Sequence, residues 1–132
     1  MAVGSWDPGS QIRPDAALLT RLADIARRTP DDPADGLSEE EIRGFAPLMR
    51  LAAQDWAPLL AALDDALLVD LVRFFTVAEM KLAGWEGGDR SPVIAMVKVL
   101  RERKSFPPEL TRWIKDRTDN RYLPYGSLLD RL

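Results

Sequence analysis

The stretch ALLVDLVRFFTVAEMKLAG, Ala66 to Gly84, is apolar around nearly its whole circumference. At about 100° per residue, Asp70, Arg73 and Lys81 fall on one narrow stripe. Thr76 lies off that stripe, and Glu79 falls roughly opposite it. A helix apolar on all sides belongs in the middle of a domain. The stretch therefore predicts a central core helix over 66–84 and makes Glu79 a candidate buried carboxylate. The run is about long enough to span a bilayer, but each of its four charges would cost roughly 2.5–3.5 kcal/mol at mid-membrane. A core helix without membrane contact is the better reading.

Further helices are expected on both sides of it. Leu18, Leu19, Leu22, Ile25 and Ala26 follow the i, i+3, i+4, i+7 pattern over Asp15–Arg28. The acidic loop TPDDPADG (29–36) stops that helix with two prolines. Ser38-Glu39-Glu40-Glu41 is a capping box, followed by an apolar stripe at Ile42, Phe45, Leu48, Met49 and Ala52. Pro47 interrupts this stripe at a cost of about 3 kcal/mol, which predicts a kink or break near 44–46. Asp55 suits an N-cap with Pro58 in the first turn of a short helix, Trp56–Leu63. Asp64 or Asp65 caps the central helix, and Gly84 is its expected C′ residue. Ser91-Pro92 opens a helix through Arg103, and Glu109–Thr118 carries another on Leu110, Trp113 and Ile114. No alternating strands, hairpin turns or repeats occur.

The fold class expected is all-α: a single compact helical domain of about six helices around the central helix 66–84, covering 15–132. An extended arm (1–14) with an anomalous Trp6 precedes it. A C-terminal tail rich in specific turn residues, RYLPYGSLLDRL (121–132), is expected to be ordered, with a short turn at Ser127–Arg131.

The composition excludes several chemistries. The 132 residues are 46% apolar and 30% charged, which is the balance of a globular chain long enough to bury a core. There is no cysteine and no histidine. Thiolate chemistry, Ser-His-Asp catalysis, imidazole metal sites and switching near neutral pH are thereby removed. No second acid converges on Glu79, so neither a metal nor another cofactor is expected. The N-terminus lacks the basic-then-apolar pattern of a signal peptide, and a cytoplasmic location follows as an expectation. Abundant Arg, Ala and Leu suggest a GC-rich bacterial source. Residues 90–132 carry ten Lys and Arg against five Asp and Glu, while 1–89 carry eight against sixteen. The two halves are expected to complement each other within one fold.

Three places could bear function. The first is Glu79, either a satisfied structural acid or a general acid or base, or an anchor for a basic ligand. The second is the loop 84–92, which runs into a helix N-terminus. There Arg90 and Ser91 could hold an anion, although Glu86 and Asp89 oppose it and no P-loop spacing is present. The third is Arg112–Tyr125, which interleaves basic and aromatic residues as single-strand binders do. Its acids and an overall pI near 5.0 argue against a nucleic-acid partner. Arg121 is the expected counter-ion of Glu79.

Two function classes result. One is a non-catalytic helical interaction or adaptor protein, with a protein partner or a homo-oligomer and no membrane. The other is a small-molecule or anion-binding protein, conceivably an enzyme, using Thr76, Glu79, Arg90, Ser91 and Arg121.

Overall fold

The computed structural model describes residues 14–29 and 31–118. Among them lie six α-helices and no strand. They are α1 (Ala16–Arg28), α2 (Glu39–Phe45), α3 (Ala53–Ala61), α4 (Asp65–Lys81), α5 (Pro92–Glu102) and α6 (Pro108–Arg117). Short 3-10 turns occupy Pro33–Gly36, Ala46–Arg50 and Gly88–Arg90. None of the described helices is long and apolar enough to cross a membrane.

Helix starts follow local chemistry. The Asp15 side chain accepts the Leu18 N–H at 2.8 Å, and that of Asp64 accepts the Leu67 N–H at 2.8 Å. Ser38 and Glu41 exchange side-chain and backbone bonds, both at 3.0 Å, as a reciprocal box. Pro47 acts where expected: α2 stops at Phe45 and the chain tightens into a 3-10 turn.

Two boundaries differ from expectation. α4 ends at Lys81, with Leu82 rather than a residue next to Gly84 as its cap. The chain then turns, the Trp85 N–H bonding the Leu82 carbonyl at 3.2 Å. Gly84 sits at φ 86° in that turn, a left-handed position that favours glycine. Leaving the helix early lets both Leu82 and Trp85 enter the core. α3 begins at Ala53, not Trp56. Asp55 is its third residue and reaches back to the Ala52 N–H at 3.2 Å, so Pro58 falls inside the helix. The Gln54 carbonyl loses its helical donor there, at an exposed position open to water.

α4 is the hub. Its Leu68, Leu71, Val72, Phe74, Phe75 and Ala78 are fully enclosed. α1 packs on one side through Leu19, Leu22, Ala23 and Ile25, and α5 on the other through Val93, Met96, Val97 and Leu100. Edge-to-face contacts join Phe75 to Trp56, and Phe74 to both Phe75 and Trp85. The expected polar stripe of α4 divides its work. Asp70 is buried and accepts from Arg27 of α1 at 2.8 Å, Arg73 lies over the Trp113 ring of α6, and Lys81 is exposed. Trp113 itself is half-buried rather than core. Residues 1–13 of the expected arm and the expected ordered tail lie outside the described residues.

Candidate functional site

Glu79 occupies the last full turn of α4 and is buried. Its two oxygens serve different parts of the following loop. Oε1 accepts the Gly87 N–H at 3.0 Å, and Oε2 accepts the Ser91 hydroxyl at 2.5 Å. The Ser91 oxygen in turn accepts the Val93 N–H at 3.2 Å and caps α5. One carboxylate thus folds residues 87–91 back against the helix they have just left. The approach is close: a Cβ on Gly87 would stand 2.8 Å from Ser91 Cα and 3.0 Å from Glu79 Oε1.

The five site residues expected from sequence separate into distinct situations. Glu79 and Ser91 come together. Arg90 is exposed beside them and forms no ion pair among the described residues. Thr76 is fully enclosed, and its hydroxyl donates to the Val72 carbonyl one turn back at 2.7 Å. Arg121, and with it the expected Arg121–Glu79 pair, lies outside the described residues. No group of three or more acids among the described residues could hold a metal ion.

A concavity of about 560 Å³ lies beside this cluster, between α3 and α5. Leu51, Trp56 and Leu60 line one wall, Ile94, Ala95 and Val99 the other. Ser91 also lines it, so the Glu79–Ser91 pair backs onto the groove without Glu79 itself lining it. The rim carries Asp89, Arg90, Lys98 and Glu102. All four are exposed, and none has an ion-pair partner among the described residues. The Trp56 Nε1–H is sealed from solvent and has no acceptor among those residues.

The two walls are joined at one end by a single side chain. Arg103, just past α5, donates to the carbonyls of Leu60 (3.2 Å), Ala61 (3.1 Å) and Leu63 (2.7 Å) and pairs with Asp65 at 2.9 Å. The Leu60 and Ala61 carbonyls belong to the last turn of α3 and that of Leu63 lies just beyond it, a place where helix ends leave acceptors short of intrahelical donors. A cation there also suits the negative end of the helix dipole.

Sequence reading missed the groove. Its one visible signal is that α5 is more apolar than a single buried stripe requires. Val93, Met96, Val97 and Leu100 already fill the core, leaving Ile94, Ala95 and Val99 for another face. No protein-family model, no curated protein and no solved structure matches this chain.

Proposed function

We propose that this chain is a non-catalytic interaction domain, acting in the cytoplasm, whose groove between α3 and α5 receives an amphipathic helix of a protein partner. The observation that carries this reading is the groove's make-up: apolar walls from two helices beneath a rim of four charges of both signs, none with an ion-pair partner among the described residues. Helices dock in such grooves by laying an i, i+3, i+4, i+7 stripe on the floor. Flanking acidic and basic residues of the guest then meet Arg90 and Lys98, or Asp89 and Glu102, across the rim. The commitments of Glu79 and Ser91 favour this reading over catalysis. A carboxylate that already accepts a loop N–H and a hydroxyl is poorly placed to take a substrate proton.

The test is selection of displayed amphipathic peptides of about three to four helical turns against the folded chain. Binders are expected to carry the helical apolar stripe with mixed flanking charges, and to perturb the NMR signals of Trp56, Ile94 and Ala95. Ala95→Arg, at a half-buried position on the groove wall, is expected to abolish binding in a protein that circular dichroism shows to be still folded. Binders that map to another face, or that are indifferent to Ala95→Arg, would refute the reading.

A second reading is favoured by the groove's size. A volume of about 560 Å³ falls within the roughly 300–1,000 Å³ of small-molecule sites. In that reading an apolar carboxylate lies along α5 with its head at Arg90 and the α5 N-terminus. Titration with octanoate separates the two, since saturable shifts at Arg90 and Ile94 belong to the second alone.

A further inference from the structure

Three side-chain nitrogens among the described residues are sealed from solvent without a hydrogen-bond acceptor: Trp56 Nε1, Arg73 Nε and Arg117 Nε. The last two lie at one place, remote in sequence from the groove walls. The Arg73 guanidinium of α4 stands 5.7 Å from the centre of the Trp113 ring, and that of Arg117 of α6 stands 4.4 Å from the same ring. An indole face attracts a cation by its quadrupole, so Trp113 seats two positive charges from two helices.

Neither charge is well neutralised. Arg73 has no carboxylate partner among the described residues, because Asp70, one turn earlier on α4, is taken by Arg27. Arg117 Nε approaches Asp31 only to 3.8 Å, beyond hydrogen-bond distance, and that aspartate is 78% exposed. Arg117 otherwise donates to the Trp113 carbonyl at a long 3.5 Å. The terminal nitrogens of Arg73 make no hydrogen bond among the described residues and are not sealed, so they remain open to a ligand.

We propose that Arg73 and Arg117, seated on Trp113, form a binding site for a doubly charged oxyanion, a phosphate group. Guanidinium forks match phosphate oxygens in geometry, and two forks match a group with a charge near −2 and three acceptor oxygens. A single carboxylate would answer only one of them. Trp113 holds both guanidinium groups within cation–π reach of one ring before the ligand arrives, so less side-chain freedom is lost on binding. The site is independent of the groove reading and stands or falls separately.

The test is a titration of the full chain with inorganic phosphate at constant ionic strength, observed at the arginine Nε–Hε NMR resonances. The Arg73 and Arg117 resonances are expected to move together along one saturable curve. The Arg103 resonance, whose guanidinium is already engaged with carbonyls, is expected to stay in place. Arg73→Gln and Arg117→Gln are each expected to weaken binding about tenfold or more. Arg73→Lys, which keeps the charge but loses the fork, is expected to weaken it nearly as much. Shifts that never saturate, or unchanged affinity in Arg73→Gln, would overturn the site. Acetate binding as tightly as phosphate would overturn its assignment to a doubly charged ligand. The wild-type titration decides the matter even where a variant folds poorly.

Discussion

Glu79 divides its two oxygens between a backbone amide and a hydroxyl eight and twelve residues further on. A buried carboxylate is tolerated only with such donors, and the space they leave is small. Gly87 is the residue that makes room. Its φ of −92° is open to any side chain, so its constraint is contact and not backbone strain. Gly87→Ala drives a Cβ into the Ser91 backbone and is expected to destabilise the fold by about 1–3 kcal/mol, as overpacking does. Gly44→Ala is the control, because nothing lies within 4 Å of its added Cβ and the residue sits in α2. That change is expected to stabilise by up to about 0.5–1 kcal/mol. Thermal denaturation of both variants checks the pair. A Gly87→Ala protein as stable as wild type would mean the loop can move away from Glu79. The burial of Glu79 was legible because residues 66–84 are apolar on nearly every side and Glu79 lies opposite their narrow charged stripe. Its partners were not, because periodicity says nothing of which loop folds back on that face. Ser91 was legible as a cap, and its hydroxyl hydrogen serves Glu79 at the same time.

At the scale of elements, cap chemistry written within a few residues was readable, and chemistry supplied from afar was not. Ser38 and Ser91 cap where their local sequence places them, Asp64 is the one of the two expected aspartates that caps α4, and Asp15, expected as the first helical residue, is the N-cap of α1. Asp55 shows the ambiguity that remains, since an aspartate suits both an N-cap and the third residue of a first turn. Leu51 fills the core just before α3, and starting the helix at Ala53 brings Trp56 and Leu60 into the enclosed face. Gly84 was likewise a sound helix stop by type, but the demand to bury Leu82 and Trp85 moved the stop earlier. Arg103 had no local signal at all, because its carbonyl partners lie about forty residues away in the chain. Arg103→Ala is expected to cost about 1.5–3 kcal/mol, the range for hydrogen bonds to a charged group. Amide exchange is expected to rise in α3 and at the end of α5 more than in α1. Equal protection across α3 before and after the change would show that the carbonyls find water at no cost.

Across the whole molecule, the all-α class was legible in helical apolar spacing, cap signals and the lack of strand patterns, and the hub position of α4 in the near-absence of a polar face on residues 66–84. The unequal charge of the two halves is partly reconciled inside the fold. Arg103 meets Asp65, and Arg117 approaches Asp31 across the boundary at residue 90, whereas Arg21, Arg27 and Arg28 find acids within their own half. The pair that ties α1 to α2 gives the molecule an acid response. The Arg21 guanidinium, assisted by the Ser38 N–H, holds the Glu41 carboxyl down to about 2 from an ordinary 4.5. A carboxyl with a lowered folded pKa contributes stability above its unfolded value and loses it as pH falls toward the folded one. Wild type is therefore expected to exceed Glu41→Gln in stability at about pH 7, with the gap closing between about pH 4.5 and about pH 2. Denaturant unfolding at both ends of that window reads it. The gap will be modest, since both side chains are partly solvated. A gap that persists near pH 2 would assign the effect to packing.

The Arg103 clasp has a consequence for how the groove comes into being. One of its walls is completed by a residue that follows the other, so neither wall has its finished form alone. The Arg103 bonds to Leu60, Ala61 and Leu63 span forty or more residues, so this corner of the cleft depends on long-range closure and not on local sequence alone. The same clasp works in reverse. On the proposed reading, a guest that binds only the closed groove would stabilise the Arg103 clasp with it, so occupancy and the integrity of this corner would be thermodynamically linked.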